Sequence, residues 1–351
     1  MTGIDRHDAN KSLLAPLRSA LYQFEAAAVR SALDQTADSA LFRMCAPFGD
    51  ITGAGAFWSD CLGPLSAAWP DLERRDWIVI AGEDTHGADW VGCGGHYVGT
   101  FAHPWLDIPP TGHLTTMRFH EFYRVEDGRV VEMQALWDIP EVMMQAGAWP
   151  LAPSLGREMT VPGPATLDGH VAGPQDAAEA ADTRDRIVDM LEHLKRHPSQ
   201  GGPELMEMER FWHPKMTWYG PAGIGTARGI AGFRNWHQIP FLAAMPDRGL
   251  EREKILYHFF GERTYAAVTG WPNMIQTLDQ PGWLGIAPAG TRITMRSLDF
   301  WRLEDGLIRE NWVLVDLLDM YAQIGVDPLA RMREFNKARL GFDRDTGRAT
   351  P

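Results

Sequence analysis

Read for periodicity, the chain opens on a helix: Leu13, Leu17, Leu21, Phe24 and Ala28 recur every three or four residues and so share one face. Ile187, Met190, Leu191 and Leu194 repeat the pattern in the second half. Each stretch is followed by a shorter helical run, residues 56–68 and 230–244, stopped near a Pro-Asp pair. The pattern then turns extended. Residues 77–81, 90–99, 115–125 and 130–138 read as strands in the first half, and 255–260, 264–270, 292–303 and 307–316 in the second. Glu-Asp-Gly at 126–128 and again at 304–306 predicts a tight turn between the last two strands, because Asp-Gly readily adopts positive φ. Each half is therefore expected to place helices on one face of a curved antiparallel sheet, an α+β plan.

The halves are copies of one another. Residues 117–147 and 295–325 align without a gap at an offset of 178, with twelve of 31 positions identical, among them Arg118/Arg296, Phe122/Phe300, Asp138/Asp316 and Gly147/Gly325. Upstream, Phe57/Phe233, Pro64/Pro240 and Asp71/Asp247 align at 176. Copy one is assigned to residues 1–150 and copy two to 183–330, followed by a tail over 331–351. Residues 151–182, rich in Pro and Gly, read as an extended linker with no core of its own.

Composition narrows the class. Apolar residues are 45% and charged residues 23% of 351, a globular balance that excludes wholesale disorder. A net charge of -13 without any basic run argues against nucleic acid or an anionic membrane as partner. Three cysteines without a CxxC pair disfavour a disulfide framework or a thiolate zinc site. No window has the apolar length of a membrane span and no secretory leader is visible, so a cytoplasmic protein is expected. Fourteen Trp and 16 Met point to roomy apolar interiors, although plain core packing is the more common use of such residues.

Residues 99–112, GTFAHPWLDIPPTG, resemble the G-x-F-x-G…P-P-T-G segment of SnoaL-like polyketide cyclases. Residues 117–147 are similar to that family's last hairpin, which carries a D-G turn, E-x-W, an Asp and Q-x-G. Copy two resembles it through Asp305, Gly306, Glu310, Trp312, Asp316, Gln323 and Gly325, and resembles the family's start through FWHPKMTWYGPAGIGTARGIAGF at 211–233. The resemblance implies two tandem NTF2-like, cone-shaped α+β barrels. It also implies that the two copies face each other as an internal pseudo-dimer, with further homo-oligomerisation open. The copies depart from the pattern differently. Copy one has Gln134 at the usual Trp, while copy two has IAPAG at 286–290 for Pro-Pro-Thr-Gly and Leu298 in place of His120.

Asp138 and Asp316 each end an apolar strand, where desolvation would raise a carboxyl pKa toward the range of a general base. The family resemblance implies an acid/base role there; the alternative is a helix N-cap. His120 and Glu121 are adjacent in one strand, so only one can face the interior. The apolar company of Glu121, and of its counterpart Asp299, favours the carboxylates, with a salt-bridged strand residue as the alternative. A carboxylate facing Asp138 would form a coupled acid/base pair. His96, Tyr97, Trp137, Trp218, Tyr219, Trp271 and Trp312, together with Trp90 and Trp301, are candidates to line a substrate pocket. His86, His96, His103, His113 and His120 cluster in sequence but lack metal-ligand spacing, so no metal is expected. No P-loop, GxGxxG or GxSxG occurs, and no cofactor is expected.

The expected function is cofactor-independent, metal-independent acid/base chemistry of the cyclase, aldolase or isomerase type on a hydrophobic aromatic or polyketide-like small molecule. The alternatives are a C–C lyase releasing a small aldehyde from lignin-like aromatic diols, and a noncatalytic small-molecule binder. Copy one, which keeps the Pro109-Pro110-Thr111-Gly112 turn and His120, is expected to hold the better site.

Overall fold

The computed structural model describes residues 3–173, 176–281, 283–286, 290–340, 342–343 and 348–349. Copy one opens with helices Gly3–Gln23 and Ala26–Ala37. Six strands follow: β1 (Leu41–Met44), β2 (Asp50–Thr52), β3 (Glu73–Glu83), β4 (Asp89–Thr100), β5 (Leu114–Glu126) and β6 (Arg129–Trp137), in the sheet order β2-β1-β6-β5-β4-β3. Copy two opens with Ala177–Leu194 and carries β7 (Trp212–Tyr219), β8 (Ala227–Arg228), β9 (His258–Glu262), β10 (Tyr265–Thr269), β11 (Met274–Leu278), β12 (Thr291–Met295), β13 (Ser297–Glu304) and β14 (Leu307–Val315). Its main sheet, β8-β7-β14-β13-β10-β9, repeats the first, and β11 and β12 form a separate hairpin.

Three details correct the sequence reading. The sheets are mixed rather than antiparallel, because β1 runs parallel to β6 and β7 parallel to β14. They curve without closing, so the cones are open sheets rather than barrels. The expected strand over 292–303 is broken at Arg296: its first half pairs with β11 and its second with β10 and β14.

The short helices of both copies contain one π turn, at Trp58–Leu62 and Arg234–Gln238. A cause lies in the sequence. Pro64 and Pro240, two residues beyond each π turn, lack the N–H that an α-helical bond to the residue four positions back requires.

Strand alternation divides the side chains. In β5, Phe119, Glu121 and Tyr123 face the interior of copy one, while His120 and Phe122 face copy two. Phe122 meets Phe260 and Phe300 with ring centroids 5.6 and 4.9 Å apart, so the sheets pack face to face. Phe260, Leu298, Phe300, Trp312 and Leu314 of copy two belong to the same apolar cluster as the copy-one core, and burying each such side chain contributes roughly 1.5–3 kcal/mol. The interior of copy two forms a second cluster.

The linker is extended, but it does contribute to the core. It runs beside β3, where the Val79 N–H donates to the Gly169 carbonyl at 2.8 Å, and Val161 and Val171 are buried. A Cβ at residue 169 would stand 2.2 Å from the Trp77 carbonyl oxygen, so only glycine permits this approach. No helix among the described residues is long and apolar enough to cross a membrane.

Candidate functional site

The two copies treat their interiors differently. In copy one Glu121 points inward and every approach to it is taken. Arg74 forms an ion pair with it, Tyr97 Oη donates at 3.1 Å and Trp137 Nε1 at 2.9 Å, and Tyr123 Oη donates as well. The Arg74 guanidinium lies 4.1 Å from the Phe119 ring centroid. Glu121 is thus a salt-bridged strand residue, with Arg74 as its partner. Copy one is a filled cone.

Copy two is hollow at the same place. Where copy one has Phe119, Glu121 and Trp137, copy two has Ser297, Asp299 and Val315, all smaller. In addition, β9 spans five residues against eleven in β3, and the half of β3 that bears Arg74 has no strand counterpart. The outcome is a cavity of about 140 Å³ bordered by Trp212, Trp218, Trp283, Trp301, His237 and Asp299, among others. That volume matches an engineered apolar cavity that admits benzene, about 150 Å³.

Asp299 reaches this cavity from the middle of β13. Burial pushes its pKa up to about 7, opposed by a hydrogen bond from Ser297 and the positive charges of Arg248 and Arg118. Among the described residues its Oδ1 has no hydrogen-bond partner. The same holds for His237 Nδ1 and for Nε1 of Trp212, Trp283 and Trp301. Buried polar atoms are ordinarily paired, so these five leave hydrogen-bonding capacity open around the cavity. His237 lies in the π turn of its helix and stacks on Trp218 at 4.2 Å. Burial, then the charge of Arg248, pushes its pKa down to about 3, so it serves as a neutral hydrogen-bonding group. Asn273 staples the β12–β13 break by accepting the Ser297 N–H at 2.9 Å and donating to its carbonyl at 2.7 Å. Copy one supports this wall from outside: Asp84 bonds His258, and His86 Nε2 donates to the Tyr257 carbonyl at 3.0 Å.

Asp138 and Asp316 occupy neither interior. Asp138 Oδ2 accepts the N–H of Ala222 in copy two, and Asp316 Oδ2 accepts the N–H of Ala46 in copy one, each at 3.0 Å. Arg118 stands 3.4 Å from Asp138 and donates to the Tyr219, Gly220 and Val313 carbonyls, and Arg296 stands 3.3 Å from Asp316. Burial raises both carboxyl pKa values, that of Asp316 to about 6. Asp316 also accepts the Asp319 N–H as a helix cap. These geometries are those of anchors between the copies. The carboxylate nearest in sequence to Asp138 that shares its surroundings is Glu141, pushed up to about 8 by burial and by Asp138.

A scan of the sequence against protein families matches the SnoaL-like polyketide cyclase model twice, over residues 46–146 and 202–324. The chain belongs to the SnoaL-like polyketide cyclase family. Among solved structures, it is similar to AclR from Streptomyces galilaeus (16% identity, TM-score 0.34, 40% of this chain and 97% of that one). It is similar to a SnoaL-like protein from a Jannaschia species (18%, TM-score 0.35, 41% and 94%) and to IdmH from Streptomyces antibioticus (20%, TM-score 0.33, 39% and 98%). No curated relative matches.

Within this SnoaL-like pair, the remaining sequence candidates scatter. His120 faces copy two, its Nδ1 donating to the Leu298 carbonyl at 2.6 Å, and burial holds it well below the ordinary histidine pKa. His96 Nδ1 accepts from Trp77 Nε1 at 3.2 Å. Tyr97 and Trp137 bind Glu121. Tyr219 and Trp312 stack on each other at 5.5 Å against copy one, with Trp312 Nε1 donating to the Pro162 carbonyl. Trp90 Nε1 donates to Asp84, and Trp271 lies under Arg296. Of the candidates, Trp218, Trp301 and Asp299 border the cavity. Among the described residues, no three His, Cys, Asp or Glu side chains converge as metal ligands. Sequence reasoning missed His237, Arg248 and Asn273. The repeat alignment held a signal for the cavity itself, in the pairs Phe119/Ser297 and Trp137/Val315.

Proposed function

We propose that the copy-two cavity is the active site of a cofactor-independent acid/base enzyme, with Asp299 as the base, acting on a hydrophobic aromatic or polyketide-like molecule. The observation that carries this reading is the inward carboxylate with one unpaired oxygen, raised toward neutrality by an apolar, tryptophan-walled cavity. Asp299 takes a proton from carbon next to a substrate carbonyl, and the electron pair passes to the carbonyl oxygen. Indole N–H groups and the neutral His237 supply hydrogen bonds to that oxygen. The enolate carbon then attacks a second carbonyl of the same molecule to close a ring, and the new alkoxide recovers the proton from Asp299. Family membership supports cyclase or isomerase chemistry of this kind, and the same groups run backward would cleave a β-hydroxy carbonyl.

The test is turnover of aromatic polyketide-like and β-hydroxy aromatic ketones as a function of pH. Activity should rise through about pH 7 and fall ~10²–10⁴-fold in Asp299→Asn. Unchanged turnover in a folded Asp299→Asn protein would remove Asp299 as base, and turnover in neither protein would favour the binding-protein reading.

A further inference from the structure

Three cations border the cavity, Lys195, Arg248 and Arg252, and the acid/base reading uses none of them. Arg248 borders the same space as Asp299, with its side chain directed along the rings of the short helix: its guanidinium carbon lies 5.7 Å from the Phe241 ring centroid. Among the described residues its one hydrogen bond is a long one, Nη1 to the Leu194 carbonyl at 3.4 Å. It forms no ion pair with any carboxylate among the described residues, Asp299 included. The neighbouring cations differ. Arg252 and Lys195 both pair with Glu192. In copy one the interior arginine, Arg74, is paired with Glu121 and Asp76. Arg248 is half-buried, and a guanidinium so placed carries five donors, keeps its charge and is ordinarily matched by a carboxylate or phosphate. Among the described residues none is supplied.

We infer that the substrate is an organic anion, and that Arg248 receives its carboxylate at one side of the cavity while Asp299 meets the reactive carbon at the other. This rests on the reading of the cavity as the substrate site and adds the class of molecule it takes. Three features support it. The cavity volume suits a single aromatic ring, which the indoles of Trp212, Trp218, Trp283 and Trp301 would enclose. Arg248 and Asp299 border the same cavity with no ion pair between them, so neither neutralises the other. The excess of positive charge at this end also acts on its neighbour: burial, then Arg248, pushes Lys195 down to about 8. An arriving anion would relieve that repulsion.

The experiment compares phenylacetate with phenylacetamide, which share a shape and differ in charge, binding to the full chain at pH 8, followed by tryptophan fluorescence and calorimetry. Phenylacetate should bind at least tenfold tighter, since a charge-assisted pair to a half-buried guanidinium is stronger than a neutral hydrogen bond. Arg248→Met should abolish the preference while leaving phenylacetamide binding within about threefold, and Arg248→Lys should keep part of it. Equal affinity of the two ligands for the wild-type chain would overturn the inference and leave the aromatic cavity standing. So would a preference that survives in folded Arg248→Met protein. Binding of neither ligand would count against the cavity as an aromatic site and overturn the inference with it.

Discussion

Replacing Asp299 by Asn should make the protein more stable above neutral pH while it removes the base. The free aspartate value is 3.8 and the buried one about 7, a shift of about three units. At ~1.4 kcal/mol per unit, holding the ionised carboxylate in the cavity costs at most ~4 kcal/mol, and ~2–3 kcal/mol once contact with cavity water is allowed for. The sign follows from proton uptake. Below pH 3.8 Asp299 is protonated folded or unfolded, and contributes nothing. Between 3.8 and about 7 the unfolded chain releases the proton and the folded chain keeps it, so wild-type stability falls as pH rises. Above 7 the full penalty is present. Asn keeps the shape without the charge. Thermal unfolding of both proteins from pH 5 to pH 8.5 should therefore show a Tm advantage for Asp299→Asn that grows through this window to about 3–4 °C. An advantage that is flat with pH, or a wild-type chain that is the more stable at pH 8.5, would refute the desolvated-base account whatever the activity result.

Refilling copy two tests the cavity directly: Ser297→Phe, which restores the copy-one residue, should leave the fold intact by circular dichroism and abolish turnover and phenylacetate binding. In copy one, Arg74→Met strands a buried carboxylate and should cost ~3–5 kcal/mol in urea unfolding without changing kcat of the folded protein, and adding Glu121→Gln should recover part of the loss. Asp138→Ala leaves the buried Ala222 N–H unpaired and Asp316→Ala the half-buried Ala46 N–H, and each should cost ~1–3 kcal/mol in stability while altering kcat by less than tenfold, well short of Asp299→Asn. Asp84→Ala loosens His258 beneath the Tyr257 wall, and should raise KM more than it lowers kcat, as steady-state kinetics would show.

Much of the fold was legible because it is written twice. The repeat, the Asp-Gly hairpin turns and the strand parity that turns Glu121 and Asp299 inward all follow from local pattern. The parallel strands β1 and β7 were not legible: β1 has four residues, and its pairing with β6 is a contact across 91 positions in the chain. The break at Arg296 was hidden because residues on both sides of it favour extended structure. The site was read in part. Asp299 was found by parity, yet the Pro109-Pro110-Thr111-Gly112 turn and His120 pointed to copy one. That turn returns the chain between β4 and β5, and His120 faces the other copy. What decides between the interiors is bulk. A cavity is an absence, produced by Ser297, Val315 and a shortened β9 acting together, and no motif announces it.

The reciprocal bonds from Asp138 to Ala222 and from Asp316 to Ala46 are what a twofold axis between identical chains would generate. In such a pair every substitution is made twice, so an interior cannot be packed solid on one side and kept hollow on the other. Joining the copies in one chain lifts that restriction while leaving the mutual grip in place. One half is then free to become ballast, its cone filled by Phe119, Arg74 and Trp137, and the other can tolerate unpaired indoles and a desolvated acid that would be hazardous in a domain standing alone. The fusion is thus a licence for asymmetry: stability can be selected in one half and chemistry in the other.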